Sequence, residues 1–181
     1  DAGADAYGQV VEGFAVILSY PGLLLPILAL GVLLSLWKDD GLPRVWPMFL
    51  LAQVAGVLAG AYLGIWVGIA AMAVGCVTAI AAALLPHISV WVAQTLAVAT
   101  GLAVMASAFE GHGLFELSVF IHFGLLLGAN MTVAIAAGLA RIALQRFPDP
   151  WMRIGWRIVA SWICAVLVLV AAFALRGGVA T

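Results

Sequence analysis

The sequence predicts an all-α, polytopic membrane protein: a bundle of six transmembrane helices, the first of them kinked or broken by prolines. Composition is the first reason. Of 181 residues, 66% are hydrophobic and only 8% charged, with a mean hydropathy of +1.23, about a third of the charge of an ordinary soluble domain. Spacing is the second: from Phe14 to Leu175 the chain divides into apolar runs close to the roughly 20 residues that a helix needs to cross hydrocarbon. Disorder, a coiled coil and a disulfide scaffold are excluded by the same composition. Seven Lys and Arg in a chain of net charge -1 leave no electrostatic basis for binding nucleic acid.

Residues 1–13 are polar and Gly-containing and read as a periplasmic N-terminal segment. A signal peptide removed ahead of Asp1, or truncation, accounts equally for the missing initiator Met. The first span is expected at 14–37, an apolar run of 24 residues, with Pro21 and Pro26 inside it. Each proline deletes a backbone donor and crowds the preceding turn, so the first half should be kinked or enter the membrane as a half-helix, its freed carbonyls satisfied by neighbours.

Val45 to Leu85 contains no charged residue over 41 positions, about twice what one span uses, so two helices joined by a tight turn are expected at 45–66 and 69–85. Gly56, Gly60, Gly64 and Gly68 recur every fourth position, a spacing that lets helices approach closely in lipid. Pro86 and His87 punctuate the chain before a fourth span at 90–109. A fifth follows at 117–140, then a basic, Pro-containing interfacial loop at 141–157 around Trp151, Met152 and Trp156, and a sixth span at 158–175 before the tail at 177–181. Cys76 and Cys164 fall inside apolar runs and read as small packing residues.

With the N-terminus outside, Lys38, Arg44, Arg141, Arg146, Arg153 and Arg157 fall on the cytoplasmic side and Arg176 alone falls outside. The positive-inside rule favours that orientation in a bacterial inner membrane. It places Asp5, Glu12, Glu110 and Glu116 on the outer face.

Four ionisable residues are candidate metal ligands: Glu110, His112 and Glu116 in one short stretch, and His122 beyond them. Carboxylate oxygen and imidazole nitrogen suit borderline divalent metals; the same residues are also what a solvated helix connection contains. His122 lies inside an apolar run, where an ionisable group is costly and points to function, or to interhelical hydrogen bonding by a neutral ring. Ser118, His122 and Asn130 share one helical face and, with Tyr20, Pro21 and Pro26, make a candidate transport path. Gln53, Gln94, Met105 and Met131 are the other polar or soft residues within spans. No nucleotide loop, Ser/His/Asp set, Cys-x-x-Cys or His-Glu-x-x-His occurs, so no residue pattern argues for an enzyme.

The order of features resembles the HupE/UreJ family of small bacterial membrane proteins linked to nickel and cobalt acquisition. Gly13-Phe14, Tyr20-Pro21 and Trp37 are similar in spacing to that family's opening helix, and Trp46-Pro47 to the start of its second span. Phe109-Glu110-Gly111-His112-Gly113 with Glu116 resembles a shortened His-Gly-x-Ala-His-Gly-x-Glu stretch, and Ala136-Ala137-Gly138 resembles the end of its fifth span. The departures fall on the metal chemistry: Tyr20, Pro26 and Ile27 stand where the family's His-Pro-x-x-Gly-x-Asp-His motif has His, Asp and His, and Ile135 replaces the fifth-span His. The resemblance implies a permease for a divalent cation (nickel, cobalt, zinc or copper) or another small solute. The alternative is a non-transporting accessory or assembly subunit. The bilayer is the expected partner in both cases, joined by further copies of the chain or by other subunits of a membrane complex.

Overall fold

Residue 20 decides the shape of the N-terminal third. A residue that precedes proline is pushed out of the helical region, and Tyr20, ahead of Pro21, is extended, with φ -104 and ψ 109. The chain therefore breaks into α1 (Ala2–Ser19) and α2 (Pro21–Trp37), which meet at a bend of 77°. Pro21 sits in the first turn of α2, where its missing donor costs nothing. Pro26 does not break the helix. It is buried against the bare backbone of Gly75.

The computed structural model describes residues 2–64, 66–84, 87–113 and 116–177; Asp1, Ile65, Leu85, Pro86, Leu114, Phe115 and the tail beyond Gly177 lie outside them. Among the described residues the remaining helices are α3 (Gly41–Gly60), α4 (Trp66–Leu84), α5 (Val90–Ala108), α6 (Val119–Arg146) and α7 (Pro150–Gly177), and there are no strands. Five of these helices are long and apolar enough to cross a membrane, and the bent pair passes the same test together, for up to six crossings. The chain is a multi-pass helical membrane protein.

Several boundaries differ from the expected spans. Residues 2–13 are not a separate polar segment, because α1 runs through Gly13-Phe14 without interruption and lies along α6. Gly13, Gly124 and Gly128 allow that approach: a Cβ on any of them would meet backbone of the other helix. The turn expected at Trp66 to Gly68 lies earlier, since α3 ends at Gly60 and Trp66 already opens α4. The basic stretch 141–157 is mostly helix, with α6 continuing to Arg146 and α7 starting at Pro150.

Apolar all round, α2 has twelve of its seventeen residues buried, as a central span should. It packs against α4, α6, α7 and α5. Ser35 ties it to α6 by donating to the Ala137 carbonyl at 2.8 Å. α3 lies along α5, where Gly56 faces Leu102 and Met105, and Gly101 faces Phe49. α7 is peripheral, with 17% of its apolar window buried.

At one end of the bundle the cations complete the helix C-termini. Arg153 donates to the Leu36 carbonyl of α2 at 2.7 Å, and Arg157 to the Ala83 carbonyl of α4 at 2.6 Å. Both place positive charge where the helix dipole favours it. Arg141 pairs with Asp39, and that guanidinium holds the exposed Asp39 carboxyl below its ordinary range. This is the basic end. The opposite, acidic end carries Glu12, Glu110, His112 and Glu116.

Candidate functional site

With 17 residues, α2 is about 25 Å long, short of a hydrocarbon core of about 30 Å. Its first residues, next to Met72 of α4, stop below the acidic end, and α1 leans away towards α6. The space left is a crevice of about 360 Å³, near the small end of the range that ligand sites occupy.

Residues at i, i+4 spacing line it, as one-sided helical stripes must: Glu12 and Val16 from α1 with Tyr20 at the break, and Gly68 and Met72 from α4. Leu117, Ile121 and Leu125 continue the same spacing from the approach to α6 into the helix, while Ser107 and His112 add polar groups from α5 and its connection. Leu23, Met72 and Leu125 are buried and form the floor. Glu12, Tyr20 and His112 are exposed and form the rim.

A second, shallower groove lies beside the crevice, lined by Tyr62, Gly64 and Glu110 and sharing Ser107 with it. Glu110 reaches towards the crevice wall: a Cβ on Gly68 would lie 3.5 Å from Glu110 Oε2 and 3.6 Å from Ser107 Oγ. Gly111, between them and His112, has φ +79, a left-handed conformation that glycine adopts without steric cost. The acidic end thus has two carboxylates around one apolar recess, and among the described residues no Lys or Arg lines either depression.

Of the nine residues proposed for metal binding and transport, only His112 and Tyr20 line the crevice. Glu116 turns back on its own loop and accepts from the Gly113 N–H at 2.8 Å. His112 Nδ1 lies 3.2 Å from the Glu110 carbonyl. His122 is half-buried, stacks on Phe109 with ring centroids 4.5 Å apart and donates from Nδ1 to the Ser118 carbonyl at 2.9 Å, which fixes its tautomer. Ser118 caps α6, its hydroxyl accepting from Phe120 N–H at 3.2 Å. Asn130 accepts from Trp46 Nε1 and donates to Gln53 Oε1, both at 2.7 Å, joining α6 to α3. Pro21 and Pro26 shape α2 rather than touch the crevice.

These placements correct two expectations. No three His, Cys, Asp or Glu side chains converge as metal ligands among the described residues: Glu116 and His122 spend polar atoms on nearby backbone, while the Glu110 carboxylate reaches towards Gly68 of α4. Nor do the hydrophilic residues from Glu110 to Asn130 open on one internal space; Ser118, His122 and Asn130 each have a separate partner. Glu12 and Ser107 are the polar crevice residues that the sequence reading missed. The signal for Glu12 was present, since Glu12, Val16 and Tyr20 recur every fourth position, but a helix assumed to start at Phe14 cuts that stripe. Comparison of the chain with protein-family models, with curated proteins and with solved structures finds no match.

Proposed function

We propose that this protein is a small-solute permease of HupE/UreJ-like type in a bacterial inner membrane, and that it loads its solute in the crevice beside the broken first helix. The carrying observation is a ligand-sized recess at the point where α1 and α2 part. Transporter sites are commonly built at discontinuous helices. The basic end, with Lys38, Arg44, Arg141, Arg146, Arg153 and Arg157, faces the cytoplasm under the positive-inside rule. The N-terminus and the crevice then face the periplasm. Between a chelated divalent ion and another small solute, the lining favours the latter, because it offers dispersed polar groups on apolar walls.

One observation favours the accessory-subunit reading instead: the core beneath the floor is closed. Ile17, Leu30 and Met105, clustered with the floor residues Leu23 and Leu125, are wholly inaccessible, and a permease must part such a layer during its cycle. Uptake into proteoliposomes separates the two readings. The permease reading expects accumulation of solute from the crevice side, lost in Gly68→Leu, whose side chain fills the recess. Intact, well-folded liposome preparations that accumulate neither metal ions nor organic solutes, together with stoichiometric co-purification of a membrane partner, would replace it with the accessory reading.

A further inference from the structure

We propose, resting on the reading of the crevice as the loading site, that its ligand class is a small organic monocation with an apolar body, an amine or quaternary ammonium. The charge distribution selects the sign. Glu12 stands on the rim and Glu110 reaches the wall at Gly68. Arg176, on α7, does not line the crevice. Six of the seven cations are at the other end of the bundle. A carboxylate at the mouth of a low-dielectric recess attracts a cation more strongly than one in open water, and, with no Lys or Arg among the described lining residues, an anion is offered only the partial charge of the α2 and α4 N-termini near Gly22 and Gly68.

The walls select the rest of the molecule. Leu23, Met72, Ile121 and Leu125 offer dispersion contacts and an apolar floor, so a ligand gains by leaving water only where it has apolar surface to bury. A hydrated divalent ion has none, and among the described residues fewer than three carboxylate, imidazole or thiolate ligands converge to replace its water. The Tyr20 ring at the rim is suited to a quaternary or protonated nitrogen, since cations are drawn to an aromatic face. The arrangement accommodates a charged head between Glu12 and Tyr20 with its apolar body on Met72 and Leu125.

Calorimetry on the full chain in lipid nanodiscs at pH 7.5 tests this with four probes: benzyltrimethylammonium, benzyl alcohol, phenylacetate and nickel(II) chloride. The expected result is saturable binding of benzyltrimethylammonium at least tenfold tighter than either other aromatic probe, weakened about tenfold by Glu12→Gln and abolished by Gly68→Leu. Equal binding of phenylacetate, no effect of Glu12→Gln in a variant of unchanged helicity, or saturable binding of nickel alone would overturn it. The permease reading fails separately: cation binding without uptake into liposomes removes transport and keeps the ligand class, whereas uptake of another solute without cation binding does the reverse.

Discussion

Four glycines recur at equal spacing from Gly56 to Gly68, yet the structure gives them unequal work, and alanine substitutions measure the difference. A Cβ on Gly56 would lie 2.5 Å from the Leu102 carbonyl oxygen, where ordinary contact begins at 3.4 Å, so α5 must retreat by about 0.9 Å. The obstacle is backbone, which cannot rotate aside. Overpacking of this kind costs about 1–3 kcal/mol. On Gly68 the same atom meets nothing closer than 3.5 Å, and Gly60, with neighbours at 2.9 Å, is intermediate. Alanine also gains up to about 1 kcal/mol of helix propensity over glycine in a helix interior, a gain fullest at Gly56 and smaller at Gly60 and Gly68, which lie at helix ends, so it offsets part of the difference. Gly56→Ala should therefore be less stable than Gly68→Ala by up to about 2 kcal/mol, with Gly60→Ala between them. Reversible unfolding in mixed SDS and detergent micelles, followed by circular dichroism, reads this directly. A Gly56→Ala variant as stable as Gly68→Ala would refute the close α3–α5 packing.

Other variants test the two ends and the middle of the bundle. Arg157→Ala, which strips the Ala83 carbonyl of its partner, should cost about 0.3–1 kcal/mol in the same unfolding assay, with Arg157→Lys recovering part of it. Asn130→Leu removes the links to Trp46 and Gln53 and should cost about 0.6–1.7 kcal/mol; pairing it with Gln53→Leu should cost less than the two single changes added together. Because Arg141 holds the folded Asp39 carboxyl below its ordinary value, the pair contributes at neutral pH, and the contribution fades as pH falls below about 3.9. The stability difference between wild type and Asp39→Asn, measured from pH 7 downwards, should shrink over that range rather than grow.

The helical membrane fold was legible because it rests on run length and charge spacing, which a bilayer imposes on any sequence. The cation clusters likewise marked one end of the bundle, where Arg153 and Arg157 meet helix C-termini. Local competition was harder to read. Pro21 and Pro26 look equivalent as letters, yet only Pro21 breaks the chain, because Tyr20 could leave the helical region at an exposed corner while Pro26 had Gly75 to lie against. Glu110, His112 and Glu116 look like a ligand cluster on paper. Glu116 and His112 instead hydrogen-bond within a tight glycine connection and the Glu110 carboxylate turns towards Gly68 of α4, a choice set by backbone geometry that spacing does not encode. The crevice itself depends on where α1 leans, and the glycines that let α1 meet α6 are more than a hundred residues apart in the chain.

Cysteine accessibility tests most directly whether a solvent-open recess exists at the broken helix. In a Cys76→Ala, Cys164→Ala background, Met72→Cys on the crevice floor should react with a membrane-impermeant, positively charged thiosulfonate added from the N-terminal side, and Gly68→Leu should block it. Val104→Cys, buried in the core at 1% exposure, should remain unmodified. A Met72→Cys protein as inert as Val104→Cys, or one labelled only from the side of Lys38 and Arg44, would contradict the account.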